Sequence, residues 1–370
     1  MSVLIVSNGH GEDAVGALLA QRLTASGVTL SAYPLVGTGN AYSHIKLLEP
    51  RCTFPSGGFG LRGSWSGLAA DLFAGFISHW RAQRAALVGQ RGKHSVAVAI
   101  GDVYCLWMAG LASERRLLVA TAKSQYNESH RWIERRIMRR AAAIWTRDEP
   151  TARTLADHGL PARYAGNPMM DAIPAPERPL SVPPGASVVL LLPGSRGDAL
   201  ANLMRLLKAV QRVGASERAV FVCALPHSLQ VSNVIHAASA QGWTVKGEHL
   251  WSGRMSVLLT RDYGSALESA TVAVGLAGTA NEQAAGRGKP VVAFPVPGAQ
   301  YTRRFMDQQQ RLLGEALIGV ENWELAADAV VRLLRDPHER ERRSEVGRQR
   351  MGLTGAVESV AKEIRSLDAT

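Results

Sequence analysis

Short runs of aliphatic and β-branched residues alternate along this chain with stretches of helical spacing. A parallel sheet demands that alternation, because each strand must be reached through a crossover of a dozen or more residues. Runs at 3–7, 28–36, 96–100, 117–121 and 143–146 read as buried strands, and 14–25 reads as the first helix. At 168–184 the sequence PMMDAIPAPERPLSVPP is rich in proline and lacks periodicity, so it reads as an extended, stiff connector. Past it the alternation restarts, with strands at 187–192, 219–224, 257–260, 272–274 and 291–294 and a helix at 199–213. A chain of 370 residues exceeds what a single hydrophobic core usually serves. The expected organisation is two α/β domains, 1–167 and 187–345, joined by a linker at 168–186. The stretch 336–367 is charged and helical, and its end, 346–370, can cross back to the first domain.

Lysine and arginine number 42 against 31 acidic residues, a net charge of +11 that favours an anionic partner: nucleic acid, anionic lipid or a phosphorylated substrate. No zinc finger, recognition-helix module or strand of interleaved aromatic and basic residues is present, which argues against nucleic acid. Cys52, Cys105 and Cys223 lie far apart and form no Cys-x-x-Cys pair, so neither a zinc site nor a disulfide framework is indicated and a reducing compartment fits. The start MSVLIVSNGH has no basic n-region and reads as a strand, not a signal peptide. No run approaches the ~18 apolar residues of a membrane span. These features predict a cytoplasmic protein.

Four loops at strand ends carry the candidate chemistry. Ser7-Asn8-Gly9-His10-Gly11-Glu12-Asp13 fits G-x-G-x-x-G/A with Ala14, but Glu12 and Asp13 would crowd the helix start where a dinucleotide pyrophosphate should sit, and the second strand ends in Tyr33-Pro34 without a ribose-binding acid. An acceptor-facing role for His10 and Glu12 is the better reading; the alternative is that Glu12 and Asp13 complement the helix dipole. Asp102 ends a buried strand, where it serves either as a general base or as a helix N-cap. In LLPGSR, Gly194 and Ser195 offer backbone amides and Arg196 a fixed, always-charged fork for a diphosphate. In the run Gly278-Thr279-Ala280-Asn281-Glu282 the small residues let a nucleotide approach a helix start, and Glu282, one turn in, is positioned to accept ribose hydroxyls.

The combination Gly166-Asn167-Pro168-Met169-Met170-Asp171, LLPGSR at 191–196 and AGTANEQAAGRGKPVVAF at 277–294 resembles the lipid-A-disaccharide synthases and the related UDP-N-acetylglucosamine transferases of peptidoglycan synthesis. The resemblance runs through most of the chain and is most specific in the second domain. It implies a GT-B glycosyltransferase: two Rossmann-like domains with parallel sheets facing a central cleft, UDP held mainly by the C-terminal domain and the acceptor between the lobes. By the same resemblance Arg196 meets the diphosphate, Asn281 lies in the nucleotide loop, Glu282 meets the ribose, and Gln308 and Gln309 read sugar hydroxyls. Asp102 matches the carboxylate at an equivalent strand end, and His10 lies in the acceptor-side loop. No cofactor beyond the UDP-sugar is implied. The absence of an Asp-x-Asp sequence agrees with metal-independent neutralisation of phosphate.

A membrane-borne lipid or glycolipid acceptor is suggested by two segments. Arg131, Arg135, Arg136, Arg139 and Arg140 share one half of a helical projection over 131–145, with Ile133, Ile137, Ala141 and Ile144 on the other and Trp132 within the arginine arc. Such a face suits either solvent or an anionic lipid surface. Residues 57–84, with Trp65, Leu68, Leu72, Phe73, Phe76, Ile77 and Trp80 flanked by Arg62, Arg81 and Arg84, are either buried core or an interfacial segment. The expected function is transfer of a hexose or N-acetylhexosamine from a UDP-sugar to such an acceptor at the inner face of the cytoplasmic membrane. The rivals are a UDP-sugar 2-epimerase, a non-catalytic UDP-sugar-binding protein and an NAD-linked enzyme.

Overall fold

Strands buried on both faces read as unbroken aliphatic runs, and in the computed structural model, which describes residues 1–51, 76–298 and 300–367, the predicted runs are strands, those at 96–100, 143–146, 188–192, 272–274 and 291–293 being buried throughout. The chain divides into two compact units, Met1–Ala172 with Gly352–Thr370, and Ile173–Met351. The first unit contains β1 (Ser2–Ser7), α1 (His10–Thr24), β2 (Thr29–Pro34), β3 (Lys46–Leu47), α2 (Phe76–Val88), β4 (Val96–Gly101), α3 (Val103–Ala112), β5 (Arg116–Ala120), α4 (Trp132–Met138), β6 (Ala143–Thr146), α5 (Glu149–Asp157), β7 (Ala162–Arg163) and α6 (Pro168–Asp171). Its seven strands are parallel, in the order β3-β2-β1-β4-β5-β6-β7. The order therefore reverses between β1 and β4.

Alternate residues of β1 and β4 face opposite layers. Ile5, Val98 and Ile100 pack with Leu19 and Leu23 of α1, whereas Leu4, Val6, Ala97 and Ala99 pack with Leu106 and Met108 of α3 and Met138 of α4. All of these side chains are essentially inaccessible to solvent.

The second unit contains β8 (Val188–Leu192), α7 (Ala199–Ser216), β9 (Val220–Ala224), α8 (Val231–Ser239), β10 (Thr244–Lys246), β11 (His249–Ser252), β12 (Met255–Thr260), α9 (Tyr263–Ser269), β13 (Val272–Gly275), α10 (Thr279–Gly286), β14 (Val291–Ala293), α11 (Arg303–Leu313), β15 (Leu317–Gly319), α12 (Trp323–Arg335) and α13 (Pro337–Met351). Its sheet runs β10-β11-β12-β9-β8-β13-β14-β15. Only the β10-β11-β12 edge is antiparallel, and the parallel order reverses between β8 and β13.

Three expectations need correction. The connector is not extended from its start, because Asn167 caps the short helix α6 by accepting from the Met169 N–H at 3.0 Å. The basic segment is helical only over Trp132–Met138; Ile144 belongs to β6, and Ile133, assigned to the apolar half, is 52% exposed. The tail is two helices, since Gly352 and Gly355 with φ of 71° and 121° break it between α13 and α14 (Ala356–Ser366). Of the apolar segment 57–84, residues 57–75 lie outside the described residues, as does Cys52. Within the remainder Trp80 stacks on Trp107 with centroids 6.5 Å apart, and the Arg84 guanidinium lies over both rings. No helix among the described residues is long and apolar enough to cross a membrane.

Helix α14 lies in the first unit, with Val360 and Ile364 buried beside Leu19 and Val98. Its entry is tied by Asp171, whose carboxylate accepts from the Gly355 N–H at 2.6 Å and the Val357 N–H at 2.8 Å. Asp171→Ala removes this cap from another element and is expected to cost about 1–2 kcal/mol. Urea denaturation of the full chain checks it: the transition of the first unit moves to lower urea, and an unchanged midpoint would show that the contact does not anchor α14.

Candidate functional site

Ligands in open parallel sheets bind beyond the carboxyl ends of the strands, where the strand order reverses. The predicted loops adjoin these places in both units: Asn8–Glu12 and Asp102 follow β1 and β4, while Gly194–Arg196 and Gly278–Thr279 follow β8 and β13.

In the first unit Asp102 caps α3: its Oδ1 accepts from the Tyr104 and Cys105 N–H groups at 3.0 and 3.1 Å. The capping geometry is thus realised, and it fixes the carboxylate while leaving Oδ2 outside those bonds. Beside it Lys123, 10% exposed along its side chain, bonds to Glu128 at 2.6 Å and Glu134 at 2.9 Å, and the same small hollow is lined by His130, whose imidazole burial holds below its ordinary range. Thr121 of the loop after β5 donates to Glu12 Oε1 at 3.2 Å, so Glu12 faces the strand ends. His10 begins α1.

Asp13 does not sit at the helix start as a solvated charge. It is 1% exposed, accepts from Ser7 Oγ at 2.5 Å, and Ser7 in turn accepts from the Tyr42 hydroxyl at 2.8 Å. Its Oδ2 is buried without a hydrogen-bond partner. Burial, opposed by the Ser7 bond and reinforced by the neighbouring Glu12 charge, raises its carboxyl from 3.8 to about 7. Asp13 and Glu12 stand in the first turn of α1, as the dipole-complementing alternative has them, with Asp13 buried.

In the second unit Gly194 has φ of 87°, and a Cβ there would lie 3.0 Å from the Leu276 carbonyl oxygen, so the LLPGSR loop rests directly on the loop after β13. Ser195 and Arg196 are exposed. Arg196 Nη1 donates to Gln300 Oε1 at 2.5 Å, and the Gln300 N–H donates to Asp198 Oδ2 at 3.0 Å, joining the loop after β14 to the loop after β8. Gly278, Thr279 and Glu282 are half-buried at the start of α10. Gly278 at the N-cap of that helix makes no side-chain cap bond, and a helix start of this kind suits an anion.

Asn281 and Gln309 are placed differently from the ligand-facing positions expected of them. Both are buried. Asn281 Nδ2 donates to the Gly275 carbonyl at 3.1 Å and to Gln309 Oε1 at 2.9 Å, while Gln309 Nε2 donates to the Gly278 and Ala277 carbonyls at 2.9 and 3.2 Å. Tyr301 completes the network, donating to Gln309 Oε1 at 2.7 Å. These amides hold the Gly275–Gly278 turn in shape, and Gln308 is the half-buried neighbour that remains at the surface. Sequence reasoning missed Gln300, Tyr301 and the Ser7–Asp13–Tyr42 chain. A loop following a strand end, PGAQYT, was the available signal for the first two.

No protein-family model matches the chain. It is 35% identical over 188 residues to the lipid-A-disaccharide synthase of Thiobacillus denitrificans, covering 47% of this chain and 45% of that protein. It is 28% identical over 240 residues to the synthase of Prochlorococcus marinus, covering 58% and 60%. The matched stretches thus span about half the length of these curated relatives. Among solved structures it is similar to the calicheamicin glycosyltransferase CalG4 (TM-score 0.64, 15% identity, 99% of this chain and 97% of that one), Acinetobacter baumannii MurG (0.58, 14%, 99% and 99%) and a Listeria monocytogenes protein described as a putative UDP-N-acetylglucosamine 2-epimerase (0.60, 15%, 99% and 96%). The chain has the α/β GT-B fold, and its resemblance to lipid-A-disaccharide synthases stands on sequence.

Asp13 generates a pH test. Its raised folded value means the native chain binds the extra proton between about pH 4 and 7, so stability falls as pH rises through that window, by at most about 1.4 kcal/mol per pH unit. Urea midpoints at pH 5 and pH 8 are expected to differ more for wild type than for Asp13→Asn; parallel shifts would place the proton elsewhere.

Proposed function

We propose that the chain is a glycosyltransferase that moves a hexose or N-acetylhexosamine from a UDP-sugar to a hydroxyl of a membrane lipid or glycolipid. The observation that carries this reading is the pairing of Arg196 with the uncapped, glycine-started helix α10 on adjoining loops of one unit. A guanidinium and free helix amides are what a diphosphate leaving group requires. Sequence similarity to two lipid-A-disaccharide synthases points the same way.

In the proposed reaction the acceptor oxygen forms a bond to the anomeric carbon as the bond from that carbon to the β-phosphate oxygen breaks. The acceptor proton passes to Asp102, whose Oδ1 is held by two backbone amides while Oδ2 takes the proton. His10 and Glu12 are the alternative bases. The UDP charge is met by Arg196 and by amides of Gly194, Ser195 and Thr279, with the ribose on Glu282. Gln308 is assigned to sugar hydroxyls, while Asn281 and Gln309 act through the loop they hold.

Support for a lipid acceptor comes from α4, where Trp132 and Ile133 are 69% and 52% exposed among the exposed arginines 131, 136, 139 and 140. A basic face with an aromatic anchor suits an anionic membrane surface at the cytoplasmic side. The rival UDP-sugar 2-epimerase is favoured by the fold shared with the Listeria protein; it would turn over a UDP-sugar with no acceptor present.

Thermal stabilisation by UDP tests the donor site. A ligand at a hundred times its dissociation constant adds about 2.7 kcal/mol, so wild type is expected to gain several degrees with UDP and Arg196→Ala to lose most of that gain. Asp102→Asn is expected to keep the UDP shift and lose transfer by about 10²-fold or more. No shift with UDP would remove both the transferase and the epimerase.

A further inference from the structure

Phe305 has no part in the donor site assigned so far. It lies in the first turn of α11, where Thr302 Oγ1 accepts from its N–H at 3.2 Å, and the residue is 39% exposed. The ring is held edge-on to Tyr301, centroids 5.4 Å apart and planes at 65°, and Tyr301 is itself buried and bonded to Gln309. A Cβ built on Gly278 would stand 3.5 Å from Phe305 Cζ, so the ring reaches the start of α10. The ring thus lies between Tyr301 and the start of α10.

Phe305 and Gln308 are three residues apart in α11 and therefore share a face. An exposed aromatic ring beside a polar amide presents an apolar plane and a hydrogen-bonding group together. That combination fits a pyranose, whose ring has a face of C–H groups and a rim of hydroxyls. A packing role explains it less well: the ring would then be covered, as Met306, Leu312 and Leu313 of the same helix are.

We propose that Phe305 is a specificity-determining residue that stacks on the C–H face of the transferred hexopyranose, with Gln308 beside it for a hydroxyl. This rests on the proposed donor site, in which the diphosphate lies at the α10 start that the ring touches. The sugar joined to the β-phosphate then adjoins the phenyl face, and UDP alone does not need it.

Titration calorimetry of the full chain with UDP, UDP-glucose and UDP-N-acetylglucosamine separates the possibilities, using wild type, Phe305→Ala and Phe305→Tyr. Phe305→Ala is expected to weaken at least one UDP-sugar about five- to tenfold, which is about 1.0–1.4 kcal/mol, while UDP binding stays unchanged, and Phe305→Tyr is expected to restore it. Equal weakening of UDP and both UDP-sugars would overturn the assignment, because the ring would then be serving the nucleotide or the loop. Unchanged binding of every ligand would overturn it as well. Wild type that binds none of the three would instead sink the donor-site reading, and the assignment of Phe305 with it.

Discussion

A parallel sheet leaves a crevice wherever neighbouring strands send their crossovers to opposite faces, and this chain does so once in each sheet: between β1 and β4, and between β8 and β13. Everything proposed about chemistry depends on that constraint. It brings Asn8–Glu12 next to Asp102 in the first unit and lays Gly194 of LLPGSR against Leu276 in the turn before α10 in the second, although these segments lie far apart in sequence. The strands that flank the two reversals, β1, β4, β8 and β13, are buried along nearly their whole length, so the candidate chemistry does not reside within them. It is confined to the loops beyond their carboxyl ends.

Those loops are shaped by buried polar groups, not by apolar packing. In the first unit Tyr42, Ser7 and Asp13 form a chain that fixes the turn into α1, at the cost of holding a carboxyl protonated toward neutral pH. In the second, Asn281 and Gln309 occupy carbonyls of the Gly275–Gly278 turn, with Tyr301 bonded to Gln309. A network whose members are largely satisfied by one another specifies one loop geometry, since each group would be costly to strand in a dry interior. The helix amides that remain uncapped are then left over for a ligand, which is how a preorganised anion site arises.

Much of this was legible from residue patterns. Aliphatic runs located the principal strands, because a doubly buried strand has no alternative composition. The very short β3, β7, β10 and β15 were invisible, as two or three residues carry no period and, unlike those of the equally short β14, these are not buried throughout. The arginine-rich stretch at 131–145 was read by its 100° spacing as one helical projection although 143–146 was also read as a strand; Ala143–Thr146 pairs with β5, so the strand reading holds there and the helical one ends at Met138. Asp102 was readable as both base and cap because one carboxylate has two oxygens. Asn281 and Gln309 misled for a different reason: an amide that holds a ligand loop and one that faces the ligand occupy the same motif, and only burial separates them.

The central claim is that the nucleotide diphosphate lies on the LLPGSR loop and the start of α10. Amide hydrogen exchange of the intact chain with and without UDP tests it most directly. Protection is predicted in 193–199 and 276–283, with little change at 7–13. Protection centred on 7–13, with the two loops of the second unit unaffected, would contradict the account.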